Sequence, residues 1–411
     1  MAASCSASGS AAGAAVYLAV DFEGGSDNCS DVQPSVVSGI SGFSSAVEFA
    51  VLLSKEEGFI TVFSDSVRCH YYYGHRIEDK AEISCEVGKP DGTCGVYSEQ
   101  MRRLFIGMAN GVITELIVSN DCNKLSNIRE YPCKTVNECR IIDLVLFTRA
   151  ACTAALAAVF FSITCELLLS TGKDNSFVWQ FDSESKYVFL GDSAGNVSVF
   201  RFRDMNCEFV SRLSAHTGSV SSLSWDAARQ LLFSASHDKL IIVWDIGSCK
   251  GTAFELMGHK TKITSLAYSP SKLKLLSADE SGCVVCWDMN IQRQETPEWK
   301  TSNVCQCCGD PFFWNMKDMW NKKTVGLRQH HCRICGKAVC DKCSQNRIRY
   351  PPMGYELAVR ICIGCFREYG SRTFKSLAKF FDAKHRIFGI HFNDTEDYLL
   401  TAGTNSVDVS R

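Results

Sequence analysis

Two stretches of this 411-residue chain repeat each other. GSVSSLSWDAARQLLFSASHDKLIIVWD closes at Trp244-Asp245 and TKITSLAYSPSKLKLLSADESGCVVCWD closes at Trp287-Asp288. His216 and His259 lead them, and both the His-to-His and the Trp-to-Trp spacings are 43 residues. Within each unit apolar and polar residues alternate between turn residues, the pattern of short half-buried antiparallel strands. A period of 40 to 45 residues marks a repeat array, and the alternation within each unit makes its members small antiparallel sheets. Weaker closings fall near His70, at Leu116, Trp179 and Phe200, and DAKHRIFGIHFNDTEDYLLTAGTNSVDV supplies a last unit led by His385. Trp179 is badly phased, 63 residues after Leu116 and 21 before Phe200. The reading there is an insertion near Ala150–Cys165 and a missing pair of strands after Gln180.

A leading His and a closing Trp-Asp at this period resemble the WD-repeat β-propeller, with four strands per blade. Counting the closings, the expectation is a seven-bladed all-β propeller with one blade irregular. Residues 1–34, rich in Ser, Ala and Gly, are expected to be largely disordered, with Ala15–Phe22 adding a strand. Residues 35–290 hold blades one to six, and 378–411 the final blade. The motif chemistry is structural: Asp238 in a tight turn holds His216, which reaches a strand hydroxyl and Trp244. The second unit has Ser281 where the turn aspartate should stand, so its relay is expected to be incomplete.

Between the sixth and last units lies a segment of a different kind, 296–370. Cysteine is the compositional outlier, at 23 residues. Residues 1–15 carry no Lys or Arg and so lack the charged start of a secretory signal, which predicts a cytoplasmic chain with reduced thiols. Clustered cysteines then read first as metal ligands. Cys305-x2-Cys308, Cys332-x2-Cys335, Cys340-x2-Cys343 and Cys362-x2-Cys365 form four pairs, enough for two tetrahedral zinc sites of four thiolates each. The gap between the second and third pairs is too short for them to share a site, so first-with-third and second-with-fourth is expected. Cys307 stands at the wrong spacing and is read as a bystander.

The second pair is embedded in Arg328-Gln329-His330-His331-Cys332-Arg333-Ile334-Cys335-Gly336, and the fourth follows Arg360-Ile361. These runs closely resemble the FYVE zinc finger. The resemblance implies a phosphatidylinositol 3-phosphate pocket made by Arg328, His330, His331, Arg333 and Arg360, and a loop, Thr324 to Leu327, whose Val325 and Leu327 enter the bilayer. Arginine gives bidentate donors to phosphate, and imidazoles add donors to the inositol ring. Two departures stand out: Gln329 replaces a basic residue, and the leading Trp299-Lys300-Thr301-Ser302 ends in Ser where the family has Asp. Twelve Lys or Arg against four Asp or Glu from Lys300 to Arg367 make the segment cationic, while the whole chain is at −2. Phe312, Phe313 and Trp314 are read as core of this small module.

A FYVE finger within a WD propeller resembles the WD-repeat and FYVE-domain-containing protein family. The resemblance implies a non-enzymatic scaffold, peripheral on early endosome membranes, with protein partners on the propeller and a second attachment through those partners or a dimer. The alternative is a RING-like ubiquitin ligase with the WD repeats as substrate reader, but a RING normally uses a His ligand and here all eight ligands can be Cys. No nucleic-acid partner is expected, since the chain is near neutral and lacks a basic helix with interleaved aromatics. Ala150–Cys165 is uncharged but too short and too rich in Ala and Thr for a membrane span.

Overall fold

The computed structural model describes residues 251–393 without a break and residues 178–247 apart from 183 and 204–205. Elsewhere it describes Ala14–Val20, Ser35–Phe43, eight strands from Val47–Leu53 to Leu125–Tyr131, Ile141–Asp143, Leu156–Ser162, Leu167–Gly172 and Tyr398–Thr404, with short flanking stretches. Outside the cysteine-rich segment these strands make six four-stranded sheets and one three-stranded sheet. The architecture is an all-β WD propeller carrying a small finger.

The two clearest repeats fold as their alternation dictates. Val220–Asp226, Leu231–Ser236, Ile241–Asp245 and Gly251–Leu256 form one antiparallel sheet, and Ile263–Ser269, Lys274–Asp279 and Cys283–Asp288 begin the next. Phe233, Val243, Leu256, Leu275, Val285 and Trp287 are fully buried between these sheets. Each histidine sits in the expected relay. His216 Nδ1 lies 3.0 Å from Asp238 Oδ2 and its Nε2 lies 2.8 Å from Ser234 Oγ, which also accepts from the Trp244 indole N–H at 2.8 Å.

The relay expected to be incomplete is whole. His259 Nδ1 lies 2.9 Å from Asp279 Oδ2, His259 Nε2 lies 2.7 Å from Ser277 Oγ, and Trp287 Nε1 donates to Ser277 at 2.9 Å. Asp279, two residues before Ser281, reaches in from the end of its strand. Ser281 instead caps that carboxylate, donating from its hydroxyl and its N–H to Oδ1. Two further units use substitutes. His385 lies 2.8 Å from the Ala383 carbonyl and 3.1 Å from Thr401 Oγ1. His70 occupies the tryptophan position and lies 2.6 Å from Thr61 Oγ1.

Three boundaries differ from the sequence reading. Val178–Phe181, which holds Trp179, is the first strand of the sheet that continues through Tyr187–Gly191, Asn196–Arg203 and Asn206–Ser214. Trp179 and Phe200 therefore belong to one sheet, and no strand pair is missing after Gln180. The irregularity lies upstream, where Ile141–Asp143 runs parallel to Leu167–Gly172, which pairs antiparallel with Leu156–Ser162. Leu156–Ser162 places part of the uncharged Ala150–Cys165 run in a strand, and no helix among the described residues is long and apolar enough to cross a membrane. Second, Ala378–Asp382 is the outer strand beside Cys283–Asp288, so the finger interrupts a sheet between its third and fourth strands. Third, the last sheet has the order Ser35–Phe43, Ala14–Val20, Tyr398–Thr404, Arg386–Asn393. Ala14–Val20 is the strand expected over Ala15–Phe22, and it takes the place in the last sheet that a closing Trp-Asp strand would have carried.

The finger is fastened to the propeller by backbone. Met257, just past Gly251–Leu256, donates to the Gly354 carbonyl at 2.9 Å and accepts from Glu356 N–H at 2.9 Å. Tyr355 is fully buried between them, its hydroxyl donating to Glu255 at 3.3 Å. Buried Glu356 accepts from Leu377 N–H and Ser376 Oγ, both at 2.9 Å, tying the finger to its exit strand.

Candidate zinc centre and headgroup surface

Short elements held by side chains build the finger. His330–His331 pairs with Ala338–Val339, and Arg347–Tyr350 pairs with Tyr355–Arg360 around a turn ending at Gly354. Gly354 has φ 91°, which a side chain would strain, and a Cβ there would lie 2.3 Å from the Glu255 carbonyl oxygen. Two helices follow the chain order: α1, Met316–Lys322, and α2, Ile363–Tyr369. The Cys362 sulfur caps α2, accepting from Cys365 N–H at 3.5 Å.

Cys305, Cys308, Cys340 and Cys343 come together in one cluster, and Cys332, Cys335, Cys362 and Cys365 in a second, all ligand atoms of each within 4.8 Å of one another. Cys308–Cys340, Cys332–Cys365 and Cys335–Cys362 sulfurs stand 3.8, 3.7 and 3.8 Å apart. A tetrahedron with Zn–S bonds of about 2.3 Å has edges of about 3.8 Å, so the donor set fits zinc. The interleaving is first pair with third and second with fourth. Hydrogen bonding from the Cys335 thiol holds Cys332 at about 4, with burial opposing, which favours its thiolate. Cys307 is exposed and belongs to neither cluster.

The basic residues converge beside the second cluster. Arg333 N–H donates to the Arg360 carbonyl at 3.0 Å, joining the two basic runs through backbone. His331 stacks on Trp299 with ring centroids 4.7 Å apart, and the Arg333 guanidinium lies 4.7 Å from the same ring. Gln329 Nε2 lies 3.3 Å from His331 Nε2. Arg360 donates to Asp341 at 2.7 Å and to Ser344 Oγ at 3.0 Å, and His330 Nε2 lies 3.8 Å from Asp341. Arg328 is exposed at the strand entrance. Burial, then the neighbouring Arg360, hold His330 below the ordinary histidine range, while burial and Arg333 do so for His331.

Two residues in this surface, Arg347 and Asp341, escaped the sequence reading, and Trp299, read only as the start of the leading motif, is a platform for His331 and Arg333. Arg347, paired in register with Arg360, adds a fourth arginine, and its place in the alternating run Arg347-Ile348-Arg349 was the available signal. Asp341, between two zinc-cluster cysteines, faces the cations, and nothing local in the sequence marks that meeting. Ser302 is engaged locally, donating to the Val304 carbonyl at 2.7 Å and accepting from its N–H at 3.2 Å. The loop divides: Val325 is 85% exposed, whereas Leu327 packs against the finger core. The aromatic run divides too, with Phe312 fully buried but Phe313 and Trp314 about half exposed, contrary to the reading of all three as core.

The family model described as FYVE zinc finger matches residues 295–371, and the model described as WD domain, G-beta repeat matches 207–245 and 247–288. The chain is 42% identical over 402 residues to WD repeat and FYVE domain-containing protein 2 of Mus musculus, covering 91% of this chain and 94% of that protein. It is 39% identical over 396 residues to WD repeat and FYVE domain-containing protein 1 of Homo sapiens, covering 91% and 92%. The finger alone is 38% identical over 78 residues to vacuolar protein sorting-associated protein 27 of Yarrowia lipolytica, 19% of this chain and 12% of that one.

Proposed function

The chain belongs to the WD repeat and FYVE domain-containing proteins, its finger binds two zinc ions, and we propose that it is a non-enzymatic adaptor of endosomal membranes. The first ion is held by Cys305, Cys308, Cys340 and Cys343, and the second by Cys332, Cys335, Cys362 and Cys365. Both are structural, because four thiolates leave no open coordination position. The observation that carries the reading is the gathering of four arginines and two imidazoles beside the second cluster. Arg328, His330, His331, Arg333 and Arg360 bind phosphatidylinositol 3-phosphate, with Arg347 at the rim. The arginines contact the phosphate and the imidazoles the ring hydroxyls.

The propeller presents protein partners on its faces and is taken as a closed ring of seven blades, the three-stranded sheet being the irregular one. Early endosomes are the site of action, reached from the cytoplasm. A RING-like ligase has nothing in its favour, since both clusters are all-cysteine and the matching family model is the FYVE finger.

Flotation of the zinc-loaded chain with vesicles of each phosphoinositide isomer tests the headgroup assignment. The 3-phosphate is expected to be preferred, and Arg333→Ala to abolish the preference by removing both the phosphate donor and the Trp299 stack. Equal wild-type binding to all isomers would reduce the surface to a cationic patch.

A further inference from the structure

The finger exposes more apolar surface than the Val325 loop alone. Helix α1 has no buried residue, and its Trp320 and Met316 are 86% and 69% exposed. These two are four residues apart and so share one helix face. Seven residues are too few for a helix to stand on its own hydrogen bonds, since isolated helices shorter than about 12–15 residues are marginal in water. Asn315 caps its start, accepting from Asp318 N–H at 3.3 Å, and Lys323 N–H closes its end on the Trp320 carbonyl at 3.3 Å. Those caps hold the helix but bury none of its apolar face.

The helix and the loop are one surface. Thr324 N–H donates to the Met319 carbonyl at 3.1 Å, and a Cβ on Gly326 would lie 2.8 Å from Met319 Sδ. Met319 therefore turns toward the loop while Trp320 and Met316 remain exposed. The charges flanking them in sequence are mostly positive. Lys317, Lys322, Lys323, Arg328 and Arg333 stand against Asp318 alone between Met316 and Arg333. An exposed indole on a helix carrying Lys317 and Lys322, the latter also donating to the Gly309 carbonyl at 2.7 Å, matches the headgroup region of an anionic bilayer, where the ring meets acyl chains and the ammonium groups meet phosphates.

We propose that the Trp320–Met316 face of α1 is a second membrane-contacting surface, entering the interface of an anionic bilayer beside Val325. This rests on the reading that the adjoining pocket binds a phosphoinositide headgroup. The occupant is lipid because the face is continuous with the loop and shares the pocket's charge. Trp320 and Val325 enter together when the pocket engages its headgroup, so α1 adds affinity for the surface without adding selectivity for the isomer.

The full zinc-loaded chain is compared with Trp320→Ala and Met316→Gln on phosphatidylcholine vesicles, with and without phosphatidylserine and phosphatidylinositol 3-phosphate. Calorimetry with soluble inositol 1,3-bisphosphate runs in parallel. Both side chains are exposed, so zinc content and melting are expected to be unchanged. Trp320→Ala is expected to weaken vesicle binding about tenfold, the scale of losing part of one large apolar side chain, while soluble-headgroup affinity stays the same. Vesicle binding equal to wild type in both variants would overturn the proposal, as would dissociation of a wild-type dimer by Trp320→Ala with vesicle binding intact. Wild type that ignores the soluble headgroup and every 3-phosphate, yet binds phosphatidylserine vesicles in a Trp320-dependent way, would remove the headgroup reading and leave this surface standing.

Discussion

At the scale of single residues, the proposed headgroup surface already contains an anion. Asp341 lies against Arg360 and near His330, and the Arg360 hydrogen bond holds its carboxyl below the ordinary range, so it is ionised at neutral pH. An incoming phosphate competes with it for Arg360. Asp341→Ala is therefore expected to raise affinity for soluble 3-phosphorylated headgroup by up to about fivefold, the upper end for an exposed ion pair. Calorimetry measures this, and a fall in affinity would mean that Asp341 positions Arg360 rather than opposing phosphate. A second residue-scale expectation concerns acid. Burial pushes the Asp238 and Asp279 carboxyls up, but hydrogen bonds from His216 and His259 overcome it and hold both below the usual value. A lowered folded value means stability that is present above the unfolded carboxylate value near 3.9 and is lost as pH falls through the folded one. The melting temperature should drop steeply below about pH 4. Asp279→Asn, which cannot titrate, should start about 1.5–3 kcal/mol less stable at neutral pH, the scale of buried hydrogen bonds to a carboxylate, and lose less on acidification. Parallel melting curves for variant and wild type from pH 6 to 3 would remove the relay as the cause.

At the scale of elements, the decisive contact is between finger and blade. Gly354 joins them with a positive φ and no room for a Cβ against Glu255. Gly354→Ala should cost about 1–2 kcal/mol for the left-handed backbone alone, and displace the Met257 hydrogen bonds while leaving both zinc clusters filled. Hydrogen exchange at Met257 and Glu356 should then quicken with unchanged zinc content, and unchanged protection would show that the turn is not what fastens the finger. Nothing in the sequence announced this junction, although much else was legible there. The period is visible because strand alternation and the Trp-Ser-His relay repeat locally, and the zinc clusters because four donors must come in pairs short enough to chelate. Strand phase was not visible: Ala378–Asp382 pairs with Cys283–Asp288 across the whole finger, and Ala14–Val20 with Tyr398–Thr404 across the whole chain. Asp279 was passed over for the same kind of reason, because a fixed offset cannot register a carboxylate reaching from two residues upstream. Trp299, Arg347 and Asp341 join the site through folding distance, not spacing.

At the scale of the whole molecule, two units of unequal self-sufficiency share one chain. The finger core gathers Phe312, Val339, Tyr350, Met353, Tyr355, Val359 and Ile361 around the cysteines, with strands of only two to six residues. Structural zinc contributes about 10–16 kcal/mol in finger peptides, as much as the entire stability of an ordinary domain at about 5–15 kcal/mol. Removing both ions should therefore unfold the finger outright. The propeller depends on it far less. Its sheets bury their own faces, and the ends of the chain meet in the sheet formed by Ala14–Val20, Tyr398–Thr404 and Arg386–Asn393. Ala378–Asp382, an outer strand with Phe380 and Phe381 buried, and the Met257 backbone bonds to Gly354 and Glu356 link the two directly. Chelation is thus expected to split thermal unfolding into a lost finger transition and a propeller transition lowered by a few degrees, with protease cutting confined to 296–370. Vesicle binding should vanish with chelation and return with added zinc. A single transition abolished by chelator would show that the ring cannot stand without the finger, and that Ala378–Asp382 is its keystone rather than its edge.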